Sequence, residues 1–452
     1  MESLVQEPVE VEGLELLPNN FEWGESTSGH QQEGDGWGRY PITDWGAFER
    51  SMAGFLAKHA GMSVDYANGT LTQDMWDRIK KEATVPNNYV SGDAAGWWQG
   101  MDIEDLNIAH SDIGLNAIRF GVESGRLREG RSFPLDHDAI NHYKLFLREC
   151  KNKRMKTTLT LFHYTNPFWM GSDVWEKRDV VSDFTDYTNN LLHVLSDEFP
   201  DRIIIINEPE IYTLLGWILG ERPPEKKNDF IGAKKVFDNL IEAHKRAYDI
   251  IKKFNPSILV SSAFNLSQIE PKYNHFSDRL GAKVSDFLSN RLFLSRLIGH
   301  MDFIAVNHYM HNVKSGLNPM SGKYQSPQDE PRSDMGWYLN PQGLYNVIIS
   351  IRKYNLPVVI TESGVADARD LYRSWYVRET VNAIINAVRD GVDIQGFYPW
   401  SLTDNFEWNH GFWPKFGFIA MDRRDNRKRI ARPSASYYSK IIAEHKRLKS
   451  LH

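Results

Sequence analysis

Two glutamates stand directly after short apolar runs of the kind that form buried strands. Glu208 follows Ile203–Ile206 and Asn207, and Glu362 follows Val358–Ile360 and Thr361. A carboxylate at the end of a buried strand costs free energy unless it is paired or protonated. Two such groups facing each other suit cleavage of a glycosidic bond. One acid protonates the leaving oxygen, and the other carboxylate attacks the sugar carbon or activates a water molecule.

A cation inside another apolar run suggests how two such carboxyls could differ. Arg119 lies within Ala117–Val122, where a buried guanidinium needs a carboxylate partner. If that partner is Glu362, Arg119 keeps it ionised and able to act as a nucleophile. Glu208 lacks such a cation in this reasoning, so we expect it to hold its proton longer and to act as the acid.

Short apolar runs alternate along the chain with segments of helical periodicity, which indicates parallel βαβ units. The eight predicted strands are Phe21–Gly24, Ala117–Val122, Thr157–Phe162, Ile203–Ile206, Ile258–Ser262, Phe303–Val306, Val358–Ile360 and Gln395–Tyr398. Helices are predicted over Ala139–Cys150, Val181–Glu198, Ala233–Phe254, Pro341–Tyr354 and Leu371–Asp390. The sequence contains neither of the glycine-rich phosphate-binding turns expected of an open nucleotide-binding sheet. We therefore expect an α/β protein in which residues 1–452 form a single catalytic (β/α)8 TIM barrel with long βα loops and an N-terminal extension over residues 1–18.

The composition excludes several classes of partner. The 53 Lys and Arg against 59 Asp and Glu give a net charge of −6 with the signs mixed, which disfavours nucleic acid and anionic lipid. No apolar run approaches the roughly 18 residues that span a bilayer. The first residues lack the pattern of a signal peptide. We expect a cytoplasmic protein with no nucleic-acid or membrane partner.

We expect neither a metal nor a cofactor. A single cysteine, Cys150, excludes an intramolecular disulfide framework and a cluster of cysteine ligands. His308 and His311 have a spacing that could suit a metal, but no acidic or histidine partners accompany them in a recognisable pattern.

The aromatic content of 12% has two interpretations, a core rich in rings or a cleft whose walls stack on sugars, and composition alone does not separate them.

Ordered motifs along the chain resemble glycoside hydrolase family 1, the β-glucosidase family. Ile206–Pro209 resembles its Asn-Glu-Pro segment, and Ile360–Gly364 is similar to its Thr-Glu-Asn-Gly segment. His30–Gly34 and Trp400–Trp408 are similar to motifs near the two ends of family members. The resemblance runs in order from about Phe21 to Ile442, and the ordered set is far more specific than any one motif.

The resemblance implies a (β/α)8 barrel that hydrolyses nonreducing-end neutral β-glycosides with retention of configuration. Glu208 would be the general acid/base, Glu362 the nucleophile and Tyr309 the residue that orients it. The positions that would hold the sugar are Gln31, His163, Asn207, Trp400, Glu407 and Trp408. Glu407 would repel a 6-phosphate, so a neutral sugar is favoured. We expect the carboxyl groups of Glu208 and Glu362 to lie about 5–5.5 Å apart. The expected partner is a small β-glycoside or short oligosaccharide, with no cofactor. A homo-oligomer is left open.

The chain departs from the family pattern at four positions near the motifs. Ser124 and Tyr164 replace tryptophans, Ser363 replaces an asparagine and His308 replaces a common tyrosine. The loss of two aromatic walls should reshape the cleft and change the aglycone preference. Two alternatives to hydrolysis stay open: a transglycosidase that uses the same intermediate, and a noncatalytic sugar-binding barrel.

Overall fold

The computed structural model describes residues 10–36, 38, 41–58, 87–131, 134–317 and 331–451, with only the backbone of residues 53–58. The strands of these residues are β1 (Glu22–Trp23), β2 (Ala117–Gly121), β3 (Lys156–Phe162), β4 (Arg202–Asn207), β5 (Leu259–Asn265), β6 (Gln268–Pro271), β7 (Ile304–Asn307), β8 (His311–Lys314), β9 (Val358–Glu362), β10 (Ile394–Phe397), β11 (Ile419–Asp422) and β12 (Lys428–Ala431). The α-helices are α1 (Gly29–Glu33), α2 (Asp44–Lys58), α3 (Met101–Asn107), α4 (Ser124–Leu127), α5 (His137–Asn152), α6 (Val180–Val194), α7 (Pro209–Thr213), α8 (Phe230–Phe254), α9 (Phe276–Asp286), α10 (Leu292–Leu297), α11 (Gln342–Ile351), α12 (Arg373–Arg389) and α13 (Pro433–Lys449).

Eight strands form one parallel sheet in the order β1-β10-β9-β7-β5-β4-β3-β2. The two ends of this sheet meet, because Ser26 forms a parallel bridge with Arg119 just past β1. Around that bridge, Arg119 N donates to Glu25 O at 2.9 Å and Thr27 N donates to Arg119 O at 2.8 Å. The predicted (β/α)8 barrel is confirmed, with each of its eight strands in the predicted place.

Most residues of the barrel strands are buried on both faces of the sheet, as expected of a parallel barrel. Ile203–Ile206 of β4 are buried on both sides, with the barrel interior on one and the surrounding helices on the other. Their β-branched side chains suit an extended backbone. The helix α8 buries Val236, Leu240, Ala243 and Ala247, a spacing of three to four residues that places them on one face.

Helix ends differ from the predictions for local reasons. The helix predicted over Val181–Glu198 ends at Val194, and turns follow up to the segment before Pro200, where proline disfavours helical backbone at Phe199. The helix predicted over Pro341–Tyr354 divides into α11 and a 3₁₀ turn, which is closed by Asn355 in the left-handed conformation at φ 53°.

Part of the predicted N-terminal extension packs on the barrel. Leu14 and Leu17 are buried in the main hydrophobic core, whereas residues 1–9 of the predicted 1–18 extension lie outside the described residues. The single-domain assignment stays a prediction. No helix within the described part of the chain has both the length and the apolar character needed to cross a membrane.

Candidate active site

The polar side chains predicted to do chemistry gather at the carboxyl-terminal ends of the barrel strands. Arg119 belongs to β2, Glu208 follows β4, and Glu362 ends β9. Parallel strands direct these ends to the same side of the barrel, where this fold places its active sites. All three residues are buried, so their charges must be balanced by one another and by neighbouring donors.

Both oxygens of Glu362 have a dedicated donor. Arg119 Nη1 donates to Glu362 Oε1 at 2.5 Å, and Tyr309 Oη donates to Glu362 Oε2 at 2.8 Å. Arg119 is completely buried, and its Nε donates to Thr160 Oγ1 at 3.1 Å, which fixes the guanidinium plane. The carboxylate is therefore held in one orientation by a cation and a hydroxyl.

Burial acts on Glu362 in the opposite sense to Arg119. Loss of hydration raises the pKa of Glu362 to about 7, while Arg119 lowers it and the negative charge of Glu208 raises it further. The expectation that Arg119 alone keeps Glu362 ionised thus left out the larger effect of burial. The charge of Glu362 therefore depends on the balance between burial, which favours the protonated form, and Arg119, which favours the ionised form.

Glu208 owes its position to a break in the backbone of β4. Its φ of 43° and ψ of 59° lie in the left-handed region, which costs a residue with a Cβ on the order of 1 kcal/mol. The next residue, Pro209, begins α7. Glu208 N still donates to Ala263 O at 2.8 Å, so the turn remains fixed to β5. Strain of this kind is typical of functional sites.

A different set of donors surrounds the Glu208 carboxyl. Asn265 Nδ2 and Asn307 Nδ2 donate to Glu208 Oε1 at 3.0 and 2.8 Å. Tyr164 Oη donates to Glu208 Oε2. Two amides and a hydroxyl thus hold Glu208, in contrast to the guanidinium that holds Glu362, so the two carboxyls have chemically distinct surroundings.

Asn207 connects the two carboxyl sites. Its Oδ1 accepts from Arg119 Nη2 at 2.7 Å and from Asn307 Nδ2 at 3.1 Å. Its Nδ2 lies 3.1 Å from His163 Nε2. Burial, with smaller effects of Arg119 and Arg222, lowers the pKa of His163 well below its ordinary value. A neutral His163 can accept from the Asn207 amide and fix its orientation.

The remaining predicted sugar-binding residues lie beside this network. Gln31 Nε2 donates to Glu407 Oε2 at 3.2 Å and to the backbone oxygen of Phe406 at 2.9 Å. The Trp408 ring stacks with His163 at a centroid distance of 6.0 Å, and Trp400 lies 6.3 Å from the same histidine. All ten residues predicted for the site occur in this one region: Gln31, Arg119, His163, Asn207, Glu208, Tyr309, Glu362, Trp400, Glu407 and Trp408. Their roles stay predictions.

Sequence reasoning did not assign roles to four further residues of the site. Asn265 and Asn307 each end a barrel strand, which is where this fold directs the residues of a site. Tyr164 was identified only as a departure from the family pattern. Arg222 had no local signal, yet its guanidinium lies over the rings of Trp45, Tyr164 and Trp408 at 5.7, 5.0 and 5.5 Å.

The two histidines with metal-like spacing have other contacts. His308 Nδ1 lies 2.7 Å from Leu266 O, and His311 Nε2 lies 3.0 Å from Glu270 Oε1. Burial lowers the pKa of His308 to about 4. Among the described residues, no three His, Cys, Asp or Glu side chains group in a way that could hold a metal ion. That finding does not test the prediction that the protein needs no metal or cofactor.

Comparison with known proteins gives a consistent family. The family model described as glycosyl hydrolase family 1 matches residues 65–298 and 294–447. The chloroplastic galactolipid galactosyltransferase SFR2 of Arabidopsis thaliana is 30% identical over 373 residues, covering 77% of this chain and 58% of that protein. A 1,4-beta-D-glucan glucohydrolase of Thermotoga neapolitana is 25% identical over 474 residues, covering 95% of this chain and 98% of the relative.

A solved structure has the same fold over nearly its whole length. The beta-glycosidase from Pyrococcus horikoshii superposes with a TM-score of 0.79 at 25% identity, covering 95% of both chains. The chain spans less than two thirds of the length of the plant relatives that it matches.

Proposed function

The chain belongs to glycosyl hydrolase family 1, and from this membership we propose that it is a retaining β-glycosidase that removes single neutral sugars from the nonreducing end of β-glycosides. One observation carries the proposal: two buried carboxyls share a hydrogen-bonded network but have different donors. Arg119 and Tyr309 hold Glu362, whereas two asparagines and Tyr164 hold Glu208. Such a pair can divide the work between a nucleophile and an acid.

The reaction follows from these two roles. Glu208 gives its proton to the glycosidic oxygen as that bond breaks, and a Glu362 oxygen bonds to the anomeric carbon from the opposite face. The aglycone leaves as an alcohol, and a glycosyl ester of Glu362 remains. Glu208 then takes a proton from water, whose oxygen displaces Glu362 from the sugar. Two inversions restore the β-configuration.

The surrounding residues account for a neutral sugar. Gln31 and Glu407, which contact each other at 3.2 Å, would bind hydroxyls far from the anomeric carbon. Asn207 would bind the 2-hydroxyl, and the Trp408 ring would stack on the apolar face of the sugar. Neither the protonated nor the ionised form of the buried Glu407 carboxyl offers a favourable charge partner to a 6-phosphate.

The stereochemistry of the first product tests the proposal. NMR of nitrophenyl β-glucoside hydrolysis should detect β-glucose before mutarotation produces the α-anomer. An initial α-product would contradict retention. Binding of the glucoside without turnover would instead support the alternative of a noncatalytic sugar-binding barrel. A panel of nitrophenyl β-glucoside, β-galactoside and β-fucoside would then rank the sugars that this site accepts.

A second candidate function is transfer of the sugar to an acceptor other than water. It is favoured by the similarity to a galactolipid galactosyltransferase, at 30% identity. Both activities pass through the same ester on Glu362, and acceptor fit decides the outcome. If transfer dominates, a high concentration of an alcohol or glycoside acceptor should leave nitrophenol release intact and should divert the sugar from free glucose to the acceptor.

A cytoplasmic location and a homo-oligomeric assembly stay predictions.

We predict that Tyr164→Phe slows the second chemical step more than the first. Its hydroxyl donates to Glu208 Oε2 and stabilises a charged carboxylate, the form needed when Glu208 acts as a base. With dinitrophenyl β-glucoside, kcat should fall about tenfold while kcat/KM changes less than about threefold. Stopped-flow absorbance should then show a burst of dinitrophenol as the ester accumulates.

Tyr212→Phe is the matched control for this prediction. The Tyr212 ring stacks against Tyr164 at 6.4 Å, but its hydroxyl accepts from Asn166 Nδ2. This variant should keep the kinetic pattern of the wild type. Equal losses of kcat and kcat/KM in Tyr164→Phe would contradict the role assigned to its hydroxyl.

We predict that Glu407→Gln stabilises the free protein at high pH. Burial raises the pKa of Glu407 to about 8, opposed by Arg222 and reinforced by Glu362 and Glu208. An unfolded glutamate has a pKa of about 4.3, so the folded state binds more protons between these values and loses stability as pH rises. Thermal unfolding should show the variant gaining Tm over the wild type from pH 5 to pH 9, while glucoside turnover falls. A Tm difference independent of pH would contradict this account.

A further inference from the structure

A cation without a carboxylate partner lies beside the catalytic residues. The guanidinium carbon of Arg222 lies 5.0, 5.5 and 5.7 Å from the ring centroids of Tyr164, Trp408 and Trp45. Its Nη1 is buried and has no hydrogen-bond partner, and no carboxylate pairs with Arg222 in the part of the chain that the structure describes. Ring faces attract the charge, but they do not satisfy N–H donors as oxygen atoms do. The donors of Arg222 are therefore available to a ligand.

The backbone holds Arg222 at this place. Arg222 lies in the segment between α7 and α8, which folds back onto the helical turn Leu214–Leu219. In this segment, Lys226 N donates to Gly216 O at 2.9 Å. Gly216 permits the close approach of the segment, because a Cβ there would lie 2.9 Å from Pro223 O. Arg222 is half-buried, so a ligand can reach a guanidinium that the loop holds in position.

Tyr164 connects Arg222 to the acid of the proposed reaction. Tyr164 Oη donates to Glu208 Oε2, and Arg222 lies over the Tyr164 ring. Since Glu208 gives its proton to the glycosidic oxygen, the aglycone lies next to the Glu208 carboxyl when the bond breaks. Trp408, which Arg222 also contacts, is the ring that would stack on the sugar. Arg222 therefore lies near the junction of sugar and aglycone.

The charge of Arg222 acts on its buried neighbours. Burial, reinforced by Arg222, lowers the pKa of His410 to about 4. Burial also raises the pKa of Glu407 to about 8, although Arg222 opposes this shift. A carboxyl with such a pKa is mostly protonated at about pH 7, so Glu407 leaves the charge of Arg222 uncompensated there. Glu208 carries its proton when the substrate binds in the proposed reaction, so it does not repel an acidic group. A carboxylate on the substrate would supply the missing negative charge.

We propose that Arg222 is a specificity-determining residue that binds a carboxylate on the aglycone of the substrate. The inference rests on the proposed glycosidase function and narrows its substrate class to neutral β-glycosides of an acidic aglycone. The buried Nη1 of Arg222 donates to a carboxylate oxygen, a charge-assisted hydrogen bond that the planar guanidinium favours. Because the proposed function assigns a neutral sugar to the site, the aglycone is the part of the substrate that carries the acid.

Two substrates of the same size test the inference. One is 3-carboxy-4-nitrophenyl β-glucoside, the other is the neutral 3-carbamoyl-4-nitrophenyl β-glucoside, and the measurement is the ratio of their kcat/KM values. Arg222→Gln should lower the ratio of acid to amide about tenfold relative to the wild type, because the charge-assisted hydrogen bond to the acid is lost. A loss that acts on both substrates, for example through Tyr164, cancels in this ratio.

Lys227→Gln is the matched control for Arg222→Gln. It removes one positive charge from an exposed side chain of the same loop, where solvent and salt screen the charge, and should leave the ratio within about twofold of the wild type. A ratio that Arg222→Gln leaves unchanged overturns the inference. So does an equal fall of the ratio in both variants, because the effect would then be a general attraction between the protein and an anion.

A third substrate determines whether the acid belongs to the sugar instead. In 4-nitrophenyl β-glucuronide the carboxylate is part of the sugar, and the aglycone is neutral. The wild type should hydrolyse this substrate more slowly than 4-nitrophenyl β-glucoside. A preference for the glucuronide that Arg222→Gln removes would overturn the assignment of the acid to the aglycone.

Binding of sulfur-linked analogues separates this inference from the proposed function. Calorimetry should show that the wild type binds 4-carboxyphenyl 1-thio-β-glucoside more tightly than its carbamoyl counterpart, and Arg222→Gln should reduce this preference about tenfold. The same preference in a protein that hydrolyses no glucoside would contradict the proposed function and leave the subsite intact. Hydrolysis of neutral glucosides without a preference that depends on Arg222 would overturn the subsite and leave the proposed function intact.

Discussion

Glu362→Ala should lower hydrolysis of every β-glycoside by on the order of 10⁵-fold. Without this carboxylate no ester can form, and neither a good leaving group nor a change of aglycone can compensate. The measurement is kcat/KM for dinitrophenyl, nitrophenyl and alkyl β-glucosides, compared with the wild type at the same pH. The loss should be similar across the series, because the missing group acts in the bond-making step that all substrates share.

The product formed with azide gives this prediction its internal control. A small anion can occupy the space left by the Glu362 side chain and attack the β-glycoside directly. One inversion then produces an α-glycosyl azide, which NMR identifies. Detection of that product shows that the variant is folded and binds sugar. A residual activity within about tenfold of the wild type would contradict the nucleophile assignment.

Glu208→Ala should give a loss that depends on the leaving group. General acid catalysis contributes about 10²–10⁴-fold, and a dinitrophenolate needs no proton to leave. We expect kcat/KM to fall less than about tenfold for the dinitrophenyl glucoside and by about a thousandfold for an alkyl glucoside. A Brønsted plot of log kcat/KM against leaving-group pKa should be steeper than that of the wild type.

Azide should also act differently on this second variant. The ester on Glu362 forms first and is then displaced by azide without help from a base, so two inversions give a β-glycosyl azide. The opposite anomers from the two alanine variants distinguish the roles of the two carboxyls without reference to rates. An α-azide from Glu208→Ala would contradict the assignment of Glu208 as the acid/base and of Glu362 as the nucleophile. A loss of activity that does not depend on the leaving group would contradict the role of Glu208 as the general acid.

The sequence was sufficient for the fold because the fold depends on strand periodicity, and the candidate site follows from the same pattern. Runs such as Ile203–Ile206 and Val358–Ile360 are buried on both faces and end in carboxylates. Once eight such runs indicate a barrel, their carboxyl ends must meet on one side. The same rule directs Asn307, which contacts Glu208 at 2.8 Å, to this side of the barrel.

Other properties of the site depend on tertiary structure that no local pattern encodes. Tyr164 contacts Glu208 from a left-handed backbone conformation at φ 72°, and Arg222 reaches three rings from the loop after α7. The pKa of Glu362 depends on how completely the fold removes water from it. Charge pairing can be inferred from residue types, whereas the extent of burial cannot.

Trapping with 2,4-dinitrophenyl 2-deoxy-2-fluoro-β-glucoside tests the central claim most directly. The fluorine slows both steps and the activated leaving group favours the first, so the ester accumulates. Mass spectrometry of the digested protein should find one fluoroglucosyl group on the peptide that contains Thr361–Glu362–Ser363, and fragmentation should place it on Glu362. A label on Glu208 or on any other residue would contradict the account, as would steady hydrolysis of this substrate with no labelled protein.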